Sequence, residues 1–345
     1  MLNKVKLWWV KITQWEFWPF SIFYFPVFFF YTWLALRCRS FFFFTAANPS
    51  IDFGGMLGER KSEIFDLIPR KYSPRYALIK PGDITSAAKF AHEIGFPVIA
   101  KPDIGERGNL VEKIETPEAL KTYLSHCPVP FLIQEFVSLP IELGVFFIKH
   151  PNEDVGKVTS MVQKDFLHVI GDGENSVKKL LQIQPRALFQ LDFDHPRFHQ
   201  VLGKIPKTGE KVIVEGIGNH CRGTTFLNAE AEIDDPLHAA FSDLASEIKG
   251  FHFGRFDLRC NSFDELRRLE NFKILELNGA GAEPGHIYQP GFPLWKGYKS
   301  ILWHLSQLAK VSWANHKLGV SYWSFRKGIN KMRTIKAYNK IIQNL

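Results

Sequence analysis

The sequence predicts an α+β fold behind an aromatic helical segment, and three patterns carry that expectation. Gly254 to Arg259 and Lys273 to Asn278 each alternate polar and apolar residues, which is the period of half-buried strands. Thr85 to Ile94 has the pattern of a helix closed by Gly95, and Phe96 to Lys101 follows as a buried strand, so helices and strands intermingle. Phe17 to Leu36 is an aromatic run with no charge, long enough as a helix to cross a hydrocarbon core of about 30 Å. These patterns divide the 345 residues into a membrane-associated segment (1–45), a mixed domain (46–295) and a basic aromatic tail (296–345).

Composition fits that division. The chain has 32 Phe and 9 Trp and a formal net charge of +8, unevenly spread. Residues 284–345 hold basic groups and no Asp or Glu, and residues 1–45 hold one acid, Glu16, which leaves the middle acidic. The four cysteines show no paired spacing, which fits a reducing compartment and gives no zinc site. Arg37 and Arg39 follow the apolar run without a small-residue cleavage site, which argues against a cleaved signal peptide. Lys4, Lys6 and Lys11 on one flank and Arg37 and Arg39 on the other allow the run to dip into a membrane and return, and Trp8, Trp9 and Trp15 among lysines are typical of a helix lying at the interface. The mixed domain is then expected on the cytoplasmic side.

If the strands 254–259 and 273–278 pair through the polar connection 261–269, Asp257 stands opposite Glu276, and Asn278 shares the face. Two carboxylates and an amide oxygen are hard ligands suited to Mg²⁺, although charged side chains on the wet face of a hairpin give the same pattern. Upstream, Lys101 ends a buried strand and leads into a loop, residues 103–109, containing Gly105, Arg107 and Gly108. A lysine point charge and two glycines that let backbone amides approach closely suit phosphate oxygens. No Gly-Lys-Ser or Gly-Lys-Thr occurs, so a classical P-loop is excluded.

Phe256-Asp257-Leu258 followed by Ile274 to Gly279, with the two lysines Lys61 and Lys101, resembles the ATP-grasp superfamily, whose fold holds ATP between two α+β lobes. The resemblance covers roughly Lys61 to Gly291. It implies ATP and Mg²⁺ as cofactors, with Asp257, Glu276 and Asn278 as metal ligands. It makes residues 131–137 the hinge between lobes, with Gln134, Glu135 and Val137 beside the adenine, and gives Glu142 the ribose hydroxyls. Val158 to Leu181 and Asn219 to Thr225 resemble segments of cyanophycin synthetase-type ligases, which implies that Lys164 and Arg222 add charge at the phosphates. By resemblance to D-alanine–D-alanine ligases, Arg255 would hold the acyl phosphate or an acceptor carboxylate, and residues 279–286 form a substrate loop in which His286 is a candidate contact. Most members place a separate domain ahead of this region. Here about sixty residues precede Lys61, so the aromatic segment is expected to stand in for part of the substrate wall.

The resemblance implies a ligase that joins a carboxylate to an amine, or less often a thiol, through an acyl phosphate. A phosphotransferase and a non-catalytic nucleotide-binding membrane scaffold are the other readings. The basic, aromatic tail suits an anionic membrane surface, and no RNA-binding signature accompanies it, so nucleic acid is not expected as a partner. The aromatic collar points to an amphiphilic, lipid-linked substrate. An oligomer remains compatible with the sequence.

Overall fold

The computed structural model describes residues 4–105 and 108–343; Arg107 lies outside the described residues. Two amino-terminal helices, α1 (Lys4–Thr13) and α2 (Phe20–Arg37), and a short α3 (Lys61–Leu67) lead into a small lobe. That lobe consists of β1 (Tyr76–Ile79), α4 (Ile84–Ile94), β2 (Val98–Pro102), β3 (Glu112–Ile114), α5 (Pro117–His126) and β4 (Phe131–Glu135). A larger lobe begins with β5 (Ile141–Ile148) and β6 (Lys157–Asp165). An excursion follows through β7 (His168–Ile170), α6 (Val177–Leu181), α7 (Pro185–Gln190), α8 (His199–Leu202) and β8 (Lys211–Ile213). The chain returns through β9 (Thr225–Asn228), α9 (Asp235–Ser246), β10 (Phe253–Cys260), α10 (Phe263–Arg267) and β11 (Phe272–Asn278), then ends in α11 (Leu294–Lys317) and α12 (Phe325–Gln343).

Local chemistry explains several of these boundaries. Asp83 accepts the Ser86 amide and starts α4, and Thr116 accepts the Ala119 amide ahead of Pro117 at the first position of α5. Gly95, with φ +81°, closes α4 in a region where only glycine is unstrained. Residues 261–269, expected as turn structure, instead contain α10. Ser262 accepts the Glu265 amide and also donates to the Glu265 carboxylate, a capping interaction strong enough to hold one short turn of helix.

The small-lobe sheet runs β1-β4-β2-β3 and the large one β11-β10-β5-β6-β9, each antiparallel at the pairings observed. In the small lobe Val98, Ala100, Phe131 and Ile133 face the buried sides of α4 and α5, leaving Ile99, Lys101 and Gln134 on the opposite side. In the large lobe Leu143, Val145, Phe147, Phe256 and Leu258 pack with Phe241 and Leu244 of α9. The other face changes character along the strands. β5 runs Glu142, Gly144, Phe146, Ile148 and its partner β10 runs Arg259, Asp257, Arg255, Phe253, so one end is charged and the other apolar. The charged end is left open to a cleft. The apolar end is covered by Phe43, Phe44, Leu308 and Val311.

This packing corrects the expected boundary at residue 296. α11 is a core helix that buries Leu308 and Val311 against the large lobe and Ile301 against Trp15, Phe23 and Val27, not part of a separate tail. Its exposed tryptophans, Trp295, Trp303 and Trp313, concealed that in the sequence. α12 does present a basic outer face, with Arg326, Lys327, Arg333, Lys336 and Lys340 exposed, while Ile335 is buried.

The amino-terminal segment is tied to the rest of the chain before and after α2. Trp15, expected on an interfacial face, is buried; it stacks on Phe23 and its indole donates to the Phe292 carbonyl at 2.6 Å. Glu16 is paired with Arg186 and His220 of the large-lobe excursion. After α2, Asn48 is fully buried and spans two segments: its Oδ1 accepts the His252 and Phe253 amides, and its Nδ2 donates to the Gly54 and Phe253 carbonyls. A helix of about 27 Å fixed at both ends to one body lies along that body. Phe23, Val27, Leu34 and Ala35 face inward, while Ile22, Phe25, Phe29 and Leu36 remain exposed.

Candidate active site

The cleft between the sheets opens into a cavity of about 980 Å³ that continues to the inner side of α2. β10 and β11 pair with Asp257 directly opposite Glu276 and Arg255 opposite Asn278, so all four side chains stand on one face. A register shift after Asp257 lets Leu275 bulge, and the Leu275 carbonyl accepts the Lys101 ammonium at 3.1 Å. The small lobe's lysine is thereby brought to the large lobe's carboxylates.

Buried charges alternate across the large sheet. Arg255 Nε donates to Asp257 at 2.7 Å, Lys164 lies 3.2 Å from Asp257 and 3.1 Å from Glu142, and Arg259 Nε reaches Glu142 at 2.8 Å. Burial acts to raise the Asp257 pKa, yet the charges of Arg255 and Lys164 overcome it and hold the carboxyl below its usual range. Burial acts to lower the Lys164 pKa, and Asp257 and Glu142 together keep it above the usual lysine value. The loop 216–218 seals Glu142: a Cβ at Gly218 would stand 1.9 Å from Glu142 Oε1, so only glycine fits.

Lys61 and Lys101 form the opposite wall. Asp103, almost fully buried, accepts the Ser62 amide and a hydrogen bond from Arg60, capping α3 from the loop that follows β2. That holds Lys61 where its ammonium reaches the Gly105 carbonyl at 2.7 Å and lies 3.9 Å from Glu276. Burial pushes the Lys101 ammonium down to about 7; Glu276 opposes this and Lys61 adds to it. The cleft therefore brings Lys61, Lys101, Lys164, Arg255 and Arg259 together with Glu142, Asp257 and Glu276, and Glu16, Glu59, Glu135 and Glu283 stand elsewhere on its walls.

Two unsatisfied groups, an acceptor and a donor, also face this cavity. Gln134 Oε1 and Asn278 Nδ2 are buried with no hydrogen-bond partner among the described residues, and both residues line the cavity. Each such atom costs about 1–3 kcal/mol until a ligand meets it. The oxygens of Glu276 and Asn278 suit a hard divalent cation, whereas both Asp257 oxygens already accept from Arg255 or Lys164 and would reach a cation only through remaining lone pairs.

Other expected contacts turn out differently. Arg222 is held by Glu215 at 2.9 Å and by the carbonyls of Gly108 and Val111, and it does not line the cavity. It clamps the loop at Gly108 instead of offering free charge. That glycine has φ +73°, and a Cβ there would crowd Arg222 at 3.1 Å. His286 is buried against Ser160 at 2.7 Å and beside Phe292, away from the cavity wall, so the expected substrate contact is not made. At the hinge, the Glu135 amide already donates to Arg75 and the Val137 carbonyl already accepts from Arg259. Gln134, Glu135, Phe136 and Val137 all line the cleft. Glu142, expected at ribose hydroxyls, has each oxygen engaged by a cation, so it would accept further hydrogen bonds only through remaining lone pairs.

Sequence reasoning missed Arg259, although strand alternation from Asp257 puts it on the same face. It also missed Glu283, whose carboxylate accepts hydrogen bonds from Tyr24 and Tyr288 on the cavity wall. Tyr24 is about 260 residues away in sequence, and no local pattern links the two.

Because Lys101 titrates near 7 in the free protein, an anion beside it raises its pKa and recruits a proton. Binding of Mg-ATP between pH 7 and 9 is expected to take up a fraction of a proton and to weaken as pH rises. Calorimetry in buffers of different ionisation enthalpy measures this. Lys101→Met should abolish the uptake and weaken binding by roughly tenfold or more; undiminished uptake in that variant would contradict the assignment.

No protein-family model and no curated protein matches the chain. Solved structures with similarity include a bifunctional glutathione synthetase from Pasteurella multocida, at 14% identity over 70% of this chain and 35% of that one, with a TM-score of 0.38. A D-alanine–D-alanine ligase from Bacillus anthracis matches at 12% identity over 75% and 69% of the two chains, with a TM-score of 0.42. The ATP-grasp ligase PsnB, solved with a minimal precursor, Mg and ADP, matches at 15% identity over 65% and 50%, with a TM-score of 0.36. The chain thus spans about a third of the first of these proteins and half of the third. These likenesses are distant, and what the chain is similar to is the group of ATP-grasp ligases.

Proposed function

We propose that this chain is an ATP-dependent ligase that activates a carboxylate as an acyl phosphate and passes the acyl group to an amine. The gathering of Lys61, Lys101, Lys164 and Arg255 around Asp257 and Glu276, in a cleft closed by two lobes and opening into a second chamber, is the observation that carries this reading. In it Lys61 and Lys101 hold the outer phosphates of ATP, and the loop at Gly105 and Gly108 offers backbone amides to them. Lys164 is positioned by two carboxylates to add charge without moving. Asp257, Glu276 and Asn278 would hold Mg²⁺, which neutralises phosphate charge and orients the phosphates in line.

In the first step a carboxylate oxygen attacks the γ-phosphorus, and the bond to the bridging oxygen breaks with its electrons leaving on ADP. In the second, the neutral amine nitrogen attacks the acyl carbon, the bond to phosphate breaks with its electrons leaving on phosphate, and the departing phosphate takes up the proton that the nitrogen loses. Arg255 stands between the two chambers, bound to Asp257 and to the Glu283 carbonyl, where it can attract the negative charge that develops on the acyl phosphate. Positioning and fixed charge supply the acceleration.

α2 and α12 suit a location at a membrane interface on the cytoplasmic side. Trp8, Trp9, Phe25, Phe29 and Leu36 are exposed without a cover, and Phe325 at the start of α12 packs on Phe41 and Phe42 just beyond α2. An apolar face beside a basic one lies in a headgroup layer without spanning it.

Two measurements test these readings. Incubation with Mg-ATP, hydroxylamine and fractionated cell extract as the source of the acyl donor should yield a hydroxamate, and Glu276→Gln should reduce it by at least about a hundredfold. ATP consumption that gives a stable phosphate ester and no hydroxamate would mean a phosphotransferase instead. Full-length protein should float with phosphatidylglycerol vesicles, and Phe25→Glu/Phe29→Glu should remain largely unbound; equal flotation of the two would refute the interfacial reading.

A further inference from the structure

We infer that Glu283, framed by Tyr24 and Tyr288, binds the ammonium group of an acceptor amine whose long apolar chain lies along the inner side of α2. This names the substrate class of the second chamber and rests on the ligase reading above.

The carboxylate is the starting point. Tyr288 donates to Glu283 Oε2 at 2.7 Å and Tyr24 donates to Oε1, yet no Lys, Arg or His forms an ion pair with it among the described residues. Glu16, Glu142, Asp257 and Glu276 on the same walls all have cationic partners. Glu283 is only partly exposed; the charge of Arg255 acts on it, but no cationic group among the described residues touches the carboxylate, which leaves it open to a cation from the cavity. Aromatic rings surround the position: Trp15 lies 5.6 Å from the Tyr288 ring and stacks on Phe23 at 4.8 Å. A carboxylate with aromatic faces suits an organic ammonium better than a bare metal ion.

Placement relates this site to the chemistry. Arg255 Nη1 donates to the Glu283 carbonyl at 3.2 Å while its Nε holds Asp257, so a single side chain separates the amine position from the phosphate cleft. In the other direction the cavity is walled by Phe23, Val27 and Ile301 and reaches Phe20 and Phe28. Those two are 57% and 56% exposed although they line the cavity, so its mouth opens onto the outer face of α2. A small amine would leave this apolar lining in contact with water. An alkyl chain covers it, and each fully buried methylene strengthens binding about fourfold.

The test uses the full-length chain and its own fluorescence, since Trp15 and Trp18 line the chamber. Dodecylamine, dodecan-1-ol and ethylamine are titrated below their micellar concentrations, with Mg-ATP affinity read in the same samples. Dodecylamine should bind saturably, at least tenfold tighter than dodecan-1-ol and a hundredfold tighter than ethylamine. Glu283→Gln should weaken dodecylamine at least tenfold and leave dodecan-1-ol unchanged. Tyr24→Phe and Tyr288→Phe, which keep rings and carboxylate, should stay within about threefold of wild type. Dodecylamine binding that is absent, unaffected by Glu283→Gln, or matched by dodecan-1-ol overturns the assignment, as does an equal loss in the tyrosine variants. Failure of wild type to bind Mg-ATP would instead remove the ligase reading and leave the amine result legible.

Discussion

The alternation Arg255, Asp257, Lys164, Glu142, Arg259 across one face of the larger sheet is the constraint on which the rest of the site depends. Buried ion pairs of this kind add little net stability, because desolvation offsets their attraction, but removing one partner leaves a charge stranded. They therefore fix geometry. Each carboxylate sits between two cations, which sets the rotamers of Lys164 and Arg255 before any ligand arrives. Glu276, on the same face, balances the third cation of the row, and Lys61 and Lys101 approach that carboxylate from across the cleft.

The same face supplies the second chamber. Because β5 and β10 change from charged to aromatic along their length, α11 and the segment after α2 must cover one end and can leave the other open. The aromatic helix is drawn onto the domain by this exposed apolar end and fastened by Glu16, whose carboxyl is held below its usual range: burial acts to raise it, and His220 and Arg186 outweigh that. A hydrophobic segment that reads as membrane-bound in the sequence becomes a wall of the cavity, with one side facing the chamber and the other bare.

Much of the large-lobe site was legible because strand alternation is a local signal. Asp257 opposite Glu276, with Asn278 on the same face, follows from a period of two and a pairing, and Lys101 is marked by its position at the end of a buried strand. Arg222 and His286 were misread for a different reason. A basic side chain near glycines looks free in sequence, whereas Glu215 and Ser160, which hold these two, come from other segments. The partners of Glu283 and Glu16 lie far off in the chain, so no spacing could reveal them. α11 was taken for a surface tail since its exposed tryptophans outweigh, in a linear reading, the buried stripe of Ile301, Leu308 and Val311.

The central claim is that ATP lies between the two lobes with its base at the hinge. Photolabelling with 8-azido-ATP in the presence of Mg²⁺, followed by tryptic mapping, tests it most directly. Label is expected on the peptide Thr122–Lys149, which contains Gln134 and Phe136, and excess ATP should remove it. Label confined to the amino-terminal or carboxyl-terminal helices, or label on that peptide that ATP does not displace, would contradict the account.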